Sequence, residues 1–274
     1  MKVIVPSEYG FCGGVRSALQ KADDAIAEAG RLGEPCCLYG SIVHNRIVSA
    51  SFERRGVRII GSPDEAESGF VVIRTHGIAD DKRKALEDKG LSIVDATCPV
   101  VLRSMALCRK AEGPVLIIGK RGHSEIESLQ GARSDAAVIE SPEDLRSLPS
   151  GTYSAVVQTT LSLSLLDRIR EEARRLGITL DELNSICMAS ERRRSALLSI
   201  LPDVDAVVVA GDEESANSRE LRDLAALHGK PSYLALDASA LPEKVFSFRT
   251  IGLTAGASTP DEVFSAMKRA LESA

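Results

Sequence analysis

The chain has 274 residues, of which 44% are hydrophobic and 27% charged, a composition typical of a soluble globular protein. Its net charge is −5 and its one notable cationic run is ERRR at 191–194, which argues against a nucleic-acid binder with a broad basic surface. No apolar stretch approaches the roughly 18–20 residues of a membrane span. The N-terminal segment MKVIVPSEYGFC predicts a strand and not a signal peptide, so we expect a cytoplasmic protein without membrane contact.

The predicted elements follow one another in an order that occurs three times. Each pass begins at a cysteine and continues with a helix, an apolar run that ends in glycine, a polar turn, a second apolar run and a second helix. The cysteines are Cys12, Cys98 and Cys187, spaced by about 86 and then about 89 residues. Helices are predicted over 15–30, 79–90, 100–113, 164–177, 191–204 and 259–274, and apolar runs over 36–40, 70–77, 115–119, 154–161, 206–211 and 250–258.

This alternation of strands and helices predicts an α/β fold with mostly parallel sheets flanked by helices. The threefold repeat predicts three similar α/β lobes with pseudo-threefold symmetry around a centre. We place the first lobe at 14–97, the second at 98–186, and the third at 187–274 with the N-terminal strand of residues 1–13. Since ligands of open parallel sheets bind beyond the carboxyl ends of the strands, the polar turns are the expected functional surface.

Three equivalent cysteines indicate a metal centre with one open coordination position, which is the mark of a catalytic site. Thiolates are the usual ligands of iron–sulfur clusters, and a cubane held by three of them leaves one iron free for substrate. The alternative is that Cys12, Cys98 and Cys187 are unrelated buried thiols. The other three, Cys36, Cys37 and Cys108, are interpreted as small buried residues.

Polar residues follow the predicted strands in all three repeats and indicate a binding pocket for a phosphate or diphosphate. Backbone amides and helix N-termini at such turns favour anions. The pocket residues are His44, His76, His123, Ser215, Asn217, Ser218 and Ser258. A lone histidine is more often structural, and His228, outside the pattern, is interpreted so.

Glu125 stands two residues after His123, in the same turn. A carboxyl beside a cluster and a bound anion could have a raised pKa and deliver a proton. The alternative for Glu125 is a helix-capping carboxylate.

The motifs GFCGGV, VHN, HG, DATCP, GHSEIE, QTTLS, IC, SxNS and TAGAS occur in the order found in a known enzyme family. From Val3 to beyond Ser258 the sequence resembles the 4-hydroxy-3-methylbut-2-enyl diphosphate reductase family, the last enzyme of the methylerythritol phosphate route to isoprenoids. The resemblance implies a three-lobed fold and a [4Fe–4S] cluster on Cys12, Cys98 and Cys187, with one open iron.

The resemblance also implies a reaction and roles for the turn residues. The substrate's hydroxyl is removed as water with two electrons and protons, giving isopentenyl and dimethylallyl diphosphate. Glu125 corresponds to the proton donor, assisted by Thr159 and His123, and the electrons come from ferredoxin or flavodoxin. The residues that correspond to diphosphate ligands are His44, His76, His123, Ser215, Asn217 and Ser258.

Some positions depart from the family's pattern, notably Ala216, where a second serine is frequent, and Arg74-Thr75, where Ser-Ala is common. Further departures are Arg103, Met105 and the segment MASERRR after Cys187. They leave open a paralogue that reduces a related allylic diphosphate. A non-catalytic iron–sulfur sensor of a diphosphate is the other alternative, although sensing does not require the proton donor Glu125.

Overall fold

The computed structural model describes residues 1–274, and strands and helices alternate through most of the chain. The strands are β1 (Lys2–Ile4), β2 (Cys36–Tyr39), β3 (Arg58–Ile60), β4 (Phe70–Ile73), β5 (Ser92–Asp95), β6 (Val115–Ile118), β7 (Ala137–Ile139), β8 (Gly151–Val157), β9 (Ile178–Glu182), β10 (Ala206–Ala210), β11 (Ser232–Ala235) and β12 (Thr250–Ala255). The helices are α1 (Gly13–Leu32), α2 (Arg46–Arg54), α3 (Asp80–Asp88), α4 (Pro99–Lys110), α5 (Ser124–Ala132), α6 (Leu163–Arg175), α7 (Met188–Ile200), α8 (Ala216–Leu227) and α9 (Asp261–Glu272).

The strands form three four-stranded sheets in which every pairing is parallel. The first sheet has the order β3-β2-β4-β5, the second β7-β6-β8-β9 and the third β11-β10-β12-β1. The three orders are equivalent, because the N-terminal strand β1 pairs with β12 and occupies the edge position that β5 and β9 have in the other sheets. The predicted fold class of three similar parallel α/β lobes is confirmed. The lobe boundaries stay predictions.

Apolar residues on both faces of the second sheet explain why helices cover it. Alternate residues of a strand point to opposite faces. In β6, Leu116 and Ile118 join a core with Leu166 and Ile169 of α6. Its remaining residues, Val115 and Ile117, join a separate core with α4 and α5, to which Val101, Met105, Cys108, Ile126 and Leu129 contribute. A strand buried on both faces becomes a continuous apolar run, the VLII of this sequence.

The third sheet is covered in the same way. Val208 of β10 packs with Phe264, Met267 and Leu271 of α9. The opposite face, which includes Val207 and Val209, packs with residues of α7 and α8, among them Leu197, Ile200, Leu221 and Ala225. The amphipathic stretch at the end of the sequence is therefore a structural element of this lobe.

The chain divides into two compact units. The smaller unit comprises Met1–Arg16, Val43–Arg55 and Met188–Ala274, and it contains the third sheet and α2. The larger unit comprises Ser17–Ile42 and Gly56–Cys187, and it contains the first and second sheets. None of the helices is long and apolar enough to cross a lipid bilayer.

Each sheet has four strands, whereas the sequence patterns predicted two apolar runs per lobe and, for the third lobe, the N-terminal strand as well. The additional strands lie at the edges of the sheets, and β3, β5 and β7 are three or four residues long, each with an exposed first residue. Periodicity over so few residues is a weak signal. The helix predicted over 191–204 was wrong at both ends, because α7 starts at Met188 and gives way to a 3-10 turn at Leu201–Asp203 that contains Pro202.

Candidate functional site

Glu125 lies in the first turn of α5, the helix that follows the turn at the carboxyl end of β6. The helix begins there because the His123 side chain caps it, with Nδ1 accepting a hydrogen bond of 3.2 Å from the Glu125 backbone N–H. Gly122, with a φ of +74°, provides the tight turn before the cap. The Glu125 side chain has no exposed surface.

Both carboxylate oxygens of Glu125 are bonded to Thr159, just beyond the carboxyl end of β8. The Thr159 backbone N–H donates to Oε1 and its hydroxyl donates to Oε2, each at 2.8 Å. Gln158 holds the two turns together, since its Oε1 accepts from the Lys120 N–H at 3.0 Å. The helix-capping alternative for Glu125 does not describe this arrangement, because His123 caps α5 and the carboxylate faces another strand.

Burial raises the pKa of Glu125 from its ordinary value of 4.5 to about 7, against the opposing effect of the two Thr159 hydrogen bonds. Desolvation disfavours the carboxylate, whereas donors directed at it favour it. A carboxyl with a pKa near 7 holds a proton and can release it at neutral pH. This is the acid–base behaviour that a general acid requires.

His76 and His123 are neighbours in the larger unit, at turns that follow β4 and β6. Their ring centroids are 5.3 Å apart and the rings are perpendicular. The turn of His76 includes Gly77, whose φ is +73°; a Cβ at this position would lie 3.2 to 3.4 Å from Met105, Thr97 and Ser128. The structure thus brings together two of the histidines predicted to bind an anion.

Cys98 and Cys187 are tied by their backbones to equivalent turns. The Cys98 N–H donates to the Thr75 carbonyl and the Cys187 N–H to the Thr159 carbonyl, both at 2.9 Å. Thr75 and Thr159 each stand two residues beyond a strand, β4 and β8. The residue that binds the buried acid Glu125 therefore also holds the backbone of Cys187.

Cys12 lies in the smaller unit, in the loop of residues 5–12 that joins β1 to α1; we call this segment the Cys12 loop. The Gly10 N–H donates to the carbonyl of Ala255, at the end of β12, at 3.1 Å. The Cys12 carbonyl accepts from the Arg16 N–H at 2.9 Å, so Cys12 begins the hydrogen bonding of α1. The loop thus ends at the carboxyl end of the third sheet.

Ser215 and Ser258 are adjacent in the same unit. The Ser258 hydroxyl donates to the Ser215 hydroxyl oxygen at 3.2 Å, and both residues are buried. Ser215 also caps α8 by accepting from the Ser218 N–H at 3.3 Å. The Asn217 side-chain oxygen accepts from the Ser190 hydroxyl at 3.1 Å. This group surrounds the N-terminus of a twelve-residue helix, where an anion is favoured.

His44 precedes Asn45, the cap of α2 in the smaller unit. Asn45 Oδ1 accepts from the N–H groups of Ile47 and Val48 at 2.9 and 3.3 Å. Arg46 donates from its backbone and its Nε to Asp212 Oδ2, both at 2.9 Å, and the Asp212 side chain is fully buried. This ion pair, between the buried Asp212 and the largely exposed Arg46, fixes the start of α2, and with it His44, to the turn after β10.

The cysteines fall into two groups that suit different chemistry. Cys12, Cys98 and Cys187 are partly exposed, form no disulfide and lie just before the first turns of α1, α4 and α7. Cys108 is buried, and burial raises its pKa to about 11. Three accessible sulfur donors fit an iron–sulfur cluster. Beside Cys12, a Cβ added at Gly13 would meet no atom within 4 Å, so the backbone leaves space there.

Cys36 is half-buried, so the interpretation of all three remaining cysteines as buried was wrong for this residue. As the first residue of β2 it lies at the end of a strand. Cys37 and Cys108 are buried as expected.

Three residues that contribute to these arrangements were not assigned from the sequence. Asp212 and Ser190 look like ordinary polar residues, and only their partners distant in sequence show their roles. Gln158 belongs to the QTTLS motif, which was the available signal. His228 is exposed at the end of α8, away from the strand ends.

A family model described as "LytB protein" matches residues 3–272. The chain is 33% identical to a 4-hydroxy-3-methylbut-2-enyl diphosphate reductase of Treponema denticola, covering 96% of each chain. It is 36% identical to a protein of the same name from Solidesulfovibrio magneticus, covering 100% of each.

Two solved structures are similar. One is the E-1-hydroxy-2-methyl-but-2-enyl-4-diphosphate reductase from Plasmodium falciparum, with a TM-score of 0.90, 25% identity, and coverage of 98% of this chain and 87% of that chain. The other is described as (E)-4-hydroxy-3-methyl-but-2-enyl diphosphate reductase, the terminal enzyme of the non-mevalonate pathway; its TM-score is 0.71, with 28% identity and full coverage of both chains.

Proposed function

The chain belongs to the LytB protein family, a family of iron–sulfur enzymes, and on this premise we propose that it is an oxidoreductase acting on (E)-4-hydroxy-3-methylbut-2-enyl diphosphate. In the reaction the allylic C–O bond breaks and two electrons and two protons are consumed. One proton converts the leaving hydroxyl to water, and the other forms the new C–H bond of isopentenyl or dimethylallyl diphosphate. The resemblance inferred from the motifs is confirmed.

The observation that supports this function most directly is the environment of Glu125. Its carboxyl is buried, has a pKa of about 7 and accepts hydrogen bonds from Thr159. The carbonyl of Thr159 in turn accepts a hydrogen bond from the Cys187 N–H. At neutral pH a large fraction of the molecules hold the proton on Glu125, ready for the leaving hydroxyl. The Thr159 hydroxyl, 2.8 Å from Oε2, keeps the carboxyl in place and offers a route by which a proton can return.

The residues expected to hold the cofactor are Cys12, Cys98 and Cys187, and we infer a [4Fe–4S] cluster with one open iron. When bound, it would supply the electrons and a Lewis-acidic position for the substrate's oxygen. Three partly exposed cysteines outside any disulfide, at three helix starts, support this proposal, and the backbones of Cys98 and Cys187 are hydrogen-bonded to turns that follow strands. We propose ferredoxin or flavodoxin as the source of electrons.

For the diphosphate we propose His44, His76, His123, Ser215, Asn217 and Ser258 as ligands. Nδ1 of His123 accepts a hydrogen bond from an amide, so the neutral ring carries its proton on Nε2 and can donate it to a phosphate oxygen. The Ser215 and Ser258 hydroxyls, adjacent at the N-terminus of α8, supply further donors. The N-terminus of α8, next to these two serines, adds favourable electrostatics for an anion.

Neither alternative reading is favoured. Relatives that the chain matches over nearly full length carry the reductase name, which gives no support to a paralogue with a different substrate. A diphosphate sensor has no need of a buried acid with a raised pKa, and here Glu125 is kept in that state by the fold.

The test is anaerobic turnover of the substrate by cluster-loaded protein with reduced methyl viologen as donor. Substrate-dependent oxidation of the dye, with C5 diphosphate products, is expected. Glu125→Gln should lower kcat by about 10² to 10⁴, the usual contribution of a general acid, with an unchanged cluster spectrum. Glu112→Gln, an exposed acid of the same unit, is the matched control. Absence of turnover in protein with an intact cluster would refute the proposal.

A further inference from the structure

The cationic run at 191–194 contains three arginines in very different surroundings, all in the smaller unit. Arg192 is 59% exposed and lies 3.6 Å from the Glu8 carboxylate, itself exposed. Arg194 pairs with Glu220 of α8 at 2.7 Å. Arg193, between them, is only 3% exposed. A helix directs successive residues about 100° apart, so one arginine of this surface-like run points into the protein.

The buried guanidinium of Arg193 holds two pieces of backbone. Its Nη2 donates to the carbonyl of Gly10 at 3.0 Å, and its Nη1 donates to the carbonyl of Ala189 at 3.2 Å. Gly10 stands two residues before Cys12. Ala189 is in the first turn of α7, which begins directly after Cys187. Arg193 thus connects the Cys12 loop to the helix start that follows another cysteine.

Gly10 is the fixed point of the Cys12 loop. Its N–H donates a hydrogen bond to the end of β12 and its carbonyl accepts one from Arg193, so both backbone polar groups of this residue are engaged. Its φ of +67° belongs to the left-handed region, which favours glycine. Burying a guanidinium is costly, and hydrogen bonds from a charged donor, such as the two that Arg193 donates to carbonyls, are stronger than neutral ones. A buried charge therefore contributes to fixing the position of this loop.

We propose that Arg193 is the positioning residue of the Cys12 loop, and that it holds the loop in place before any cofactor binds. The role of Arg193 in fixing the loop does not depend on the proposed function. That the fixed loop presents the Cys12 thiol as a metal ligand does rest on the proposed function. Arg193 acts through the backbone of Gly10. A lysine cannot replace it, because one ammonium on a flexible stem does not reproduce the planar fork that reaches two carbonyls.

Arg192 provides a matched comparison on the same helix and the same loop. It meets the loop through Glu8, in an exposed pair at long distance, and such pairs contribute little. Two neighbouring arginines therefore contact one loop, one from the interior and one from solvent. The contact from the interior, made by Arg193, is the one that orders the loop.

The experiment measures the rate at which each cysteine of the metal-free, reduced protein is alkylated by iodoacetamide, residue by residue, by mass spectrometry. In Arg193→Lys, Cys12, which is only partly exposed, should react roughly tenfold faster, because its thiol becomes fully exposed when the loop opens and the loop opens more readily without its buried hydrogen bonds. Cys98, in the other unit, should change less than about twofold, and Arg192→Lys should change neither. Buried Cys108 reports global unfolding.

A second variant separates positioning from general stability. Arg193→Ala removes the side chain, and millimolar guanidinium ion should restore the slow reaction of Cys12 in this variant but leave Arg192→Ala unaffected. Equal acceleration of Cys12, Cys98 and Cys108, or no acceleration of Cys12, would overturn the proposal; so would failure of guanidinium to protect Cys12 in a folded variant. Since no turnover is measured, the result is independent of whether the reductase activity is found.

Discussion

Replacing Glu125 by glutamine should make the metal-free protein more stable at pH 8 while leaving its stability at pH 5 nearly unchanged. The amide has almost the same shape as the carboxyl and keeps both bonds to Thr159: its oxygen accepts from the Thr159 N–H, and its NH₂ group donates to the hydroxyl oxygen. The substitution therefore removes a negative charge from a fully buried position and little else.

The magnitude follows from the pKa of Glu125. Its rise from 4.5 to about 7 corresponds to about 3 kcal/mol at 1.36 kcal/mol per pKa unit. Between these values the unfolded chain has lost a proton that the folded chain retains, so the free energy of unfolding falls as the pH rises through this window. Above about pH 7 the full cost of the buried charge is present. We therefore expect Glu125→Gln to gain about 2–3 kcal/mol at pH 8 and less than about 1 kcal/mol at pH 5.

The assay is urea unfolding of the reduced, metal-free protein at both pH values, followed by far-ultraviolet circular dichroism because the chain has no tryptophan. Glu220, whose pKa burial also raises to about 7, titrates in the same window but is present in both proteins, so it cancels in the difference. Glu112→Gln, at an exposed position, should show no pH-dependent gain. An equal effect of Glu125→Gln at pH 5 and pH 8, or no gain at pH 8, would refute the assignment of Glu125 as a buried acid with a raised pKa.

Three further predictions concern other contacts. Thr159→Val removes a hydrogen bond that lowers the pKa of Glu125, so the pH at which kcat/KM falls should move upward. If that pH does not change, Glu125 is not the group whose deprotonation causes the fall. Ser258→Ala should weaken binding of inorganic diphosphate, measured by calorimetry, by about five- to tenfold, and unchanged affinity would remove Ser258 from the pocket. Gly131→Ala should lower the free energy of unfolding in urea by about 1–3 kcal/mol, because the new Cβ would lie 2.2 Å from the Cβ of Ala79. Gly30→Ala, at a position with open space, should be neutral or stabilising, and equal effects of the two substitutions would contradict the packing.

The central strands and the functional turns could be predicted because their signals are local. The run VLII is buried on both faces and is apolar throughout, and the glycine that follows it marks the turn. The repeat of such runs after Cys12, Cys98 and Cys187 predicted the fold class, because three equivalent patterns are stronger evidence than one. Edge strands such as β3 and β7 gave a weaker signal, because three residues that run from exposed to buried show neither clear alternation nor a continuous apolar run.

What each polar residue does was decided by contacts between distant parts of the chain. The spacing of Glu125 from His123 fitted a capping carboxylate as well as a proton donor. Thr159, 34 residues further along, settled its environment by burying it under two hydrogen bonds. Likewise the run ERRR reads as a solvated surface, and only the folding of the Cys12 loop against α7 shows that its middle arginine is interior, 183 residues from the carbonyl it holds.

The sequence by itself determined the residue types, their order and their threefold spacing, because periodicity, turn residues and motifs are properties of neighbours along the chain. The tertiary structure alone decided burial, and burial sets the pKa of Glu125, the inertness of Cys108 and the interior position of Arg193. The physical reason is that desolvation and hydrogen bonding depend on which groups surround a side chain in space, and in this protein those groups come from other strands and helices.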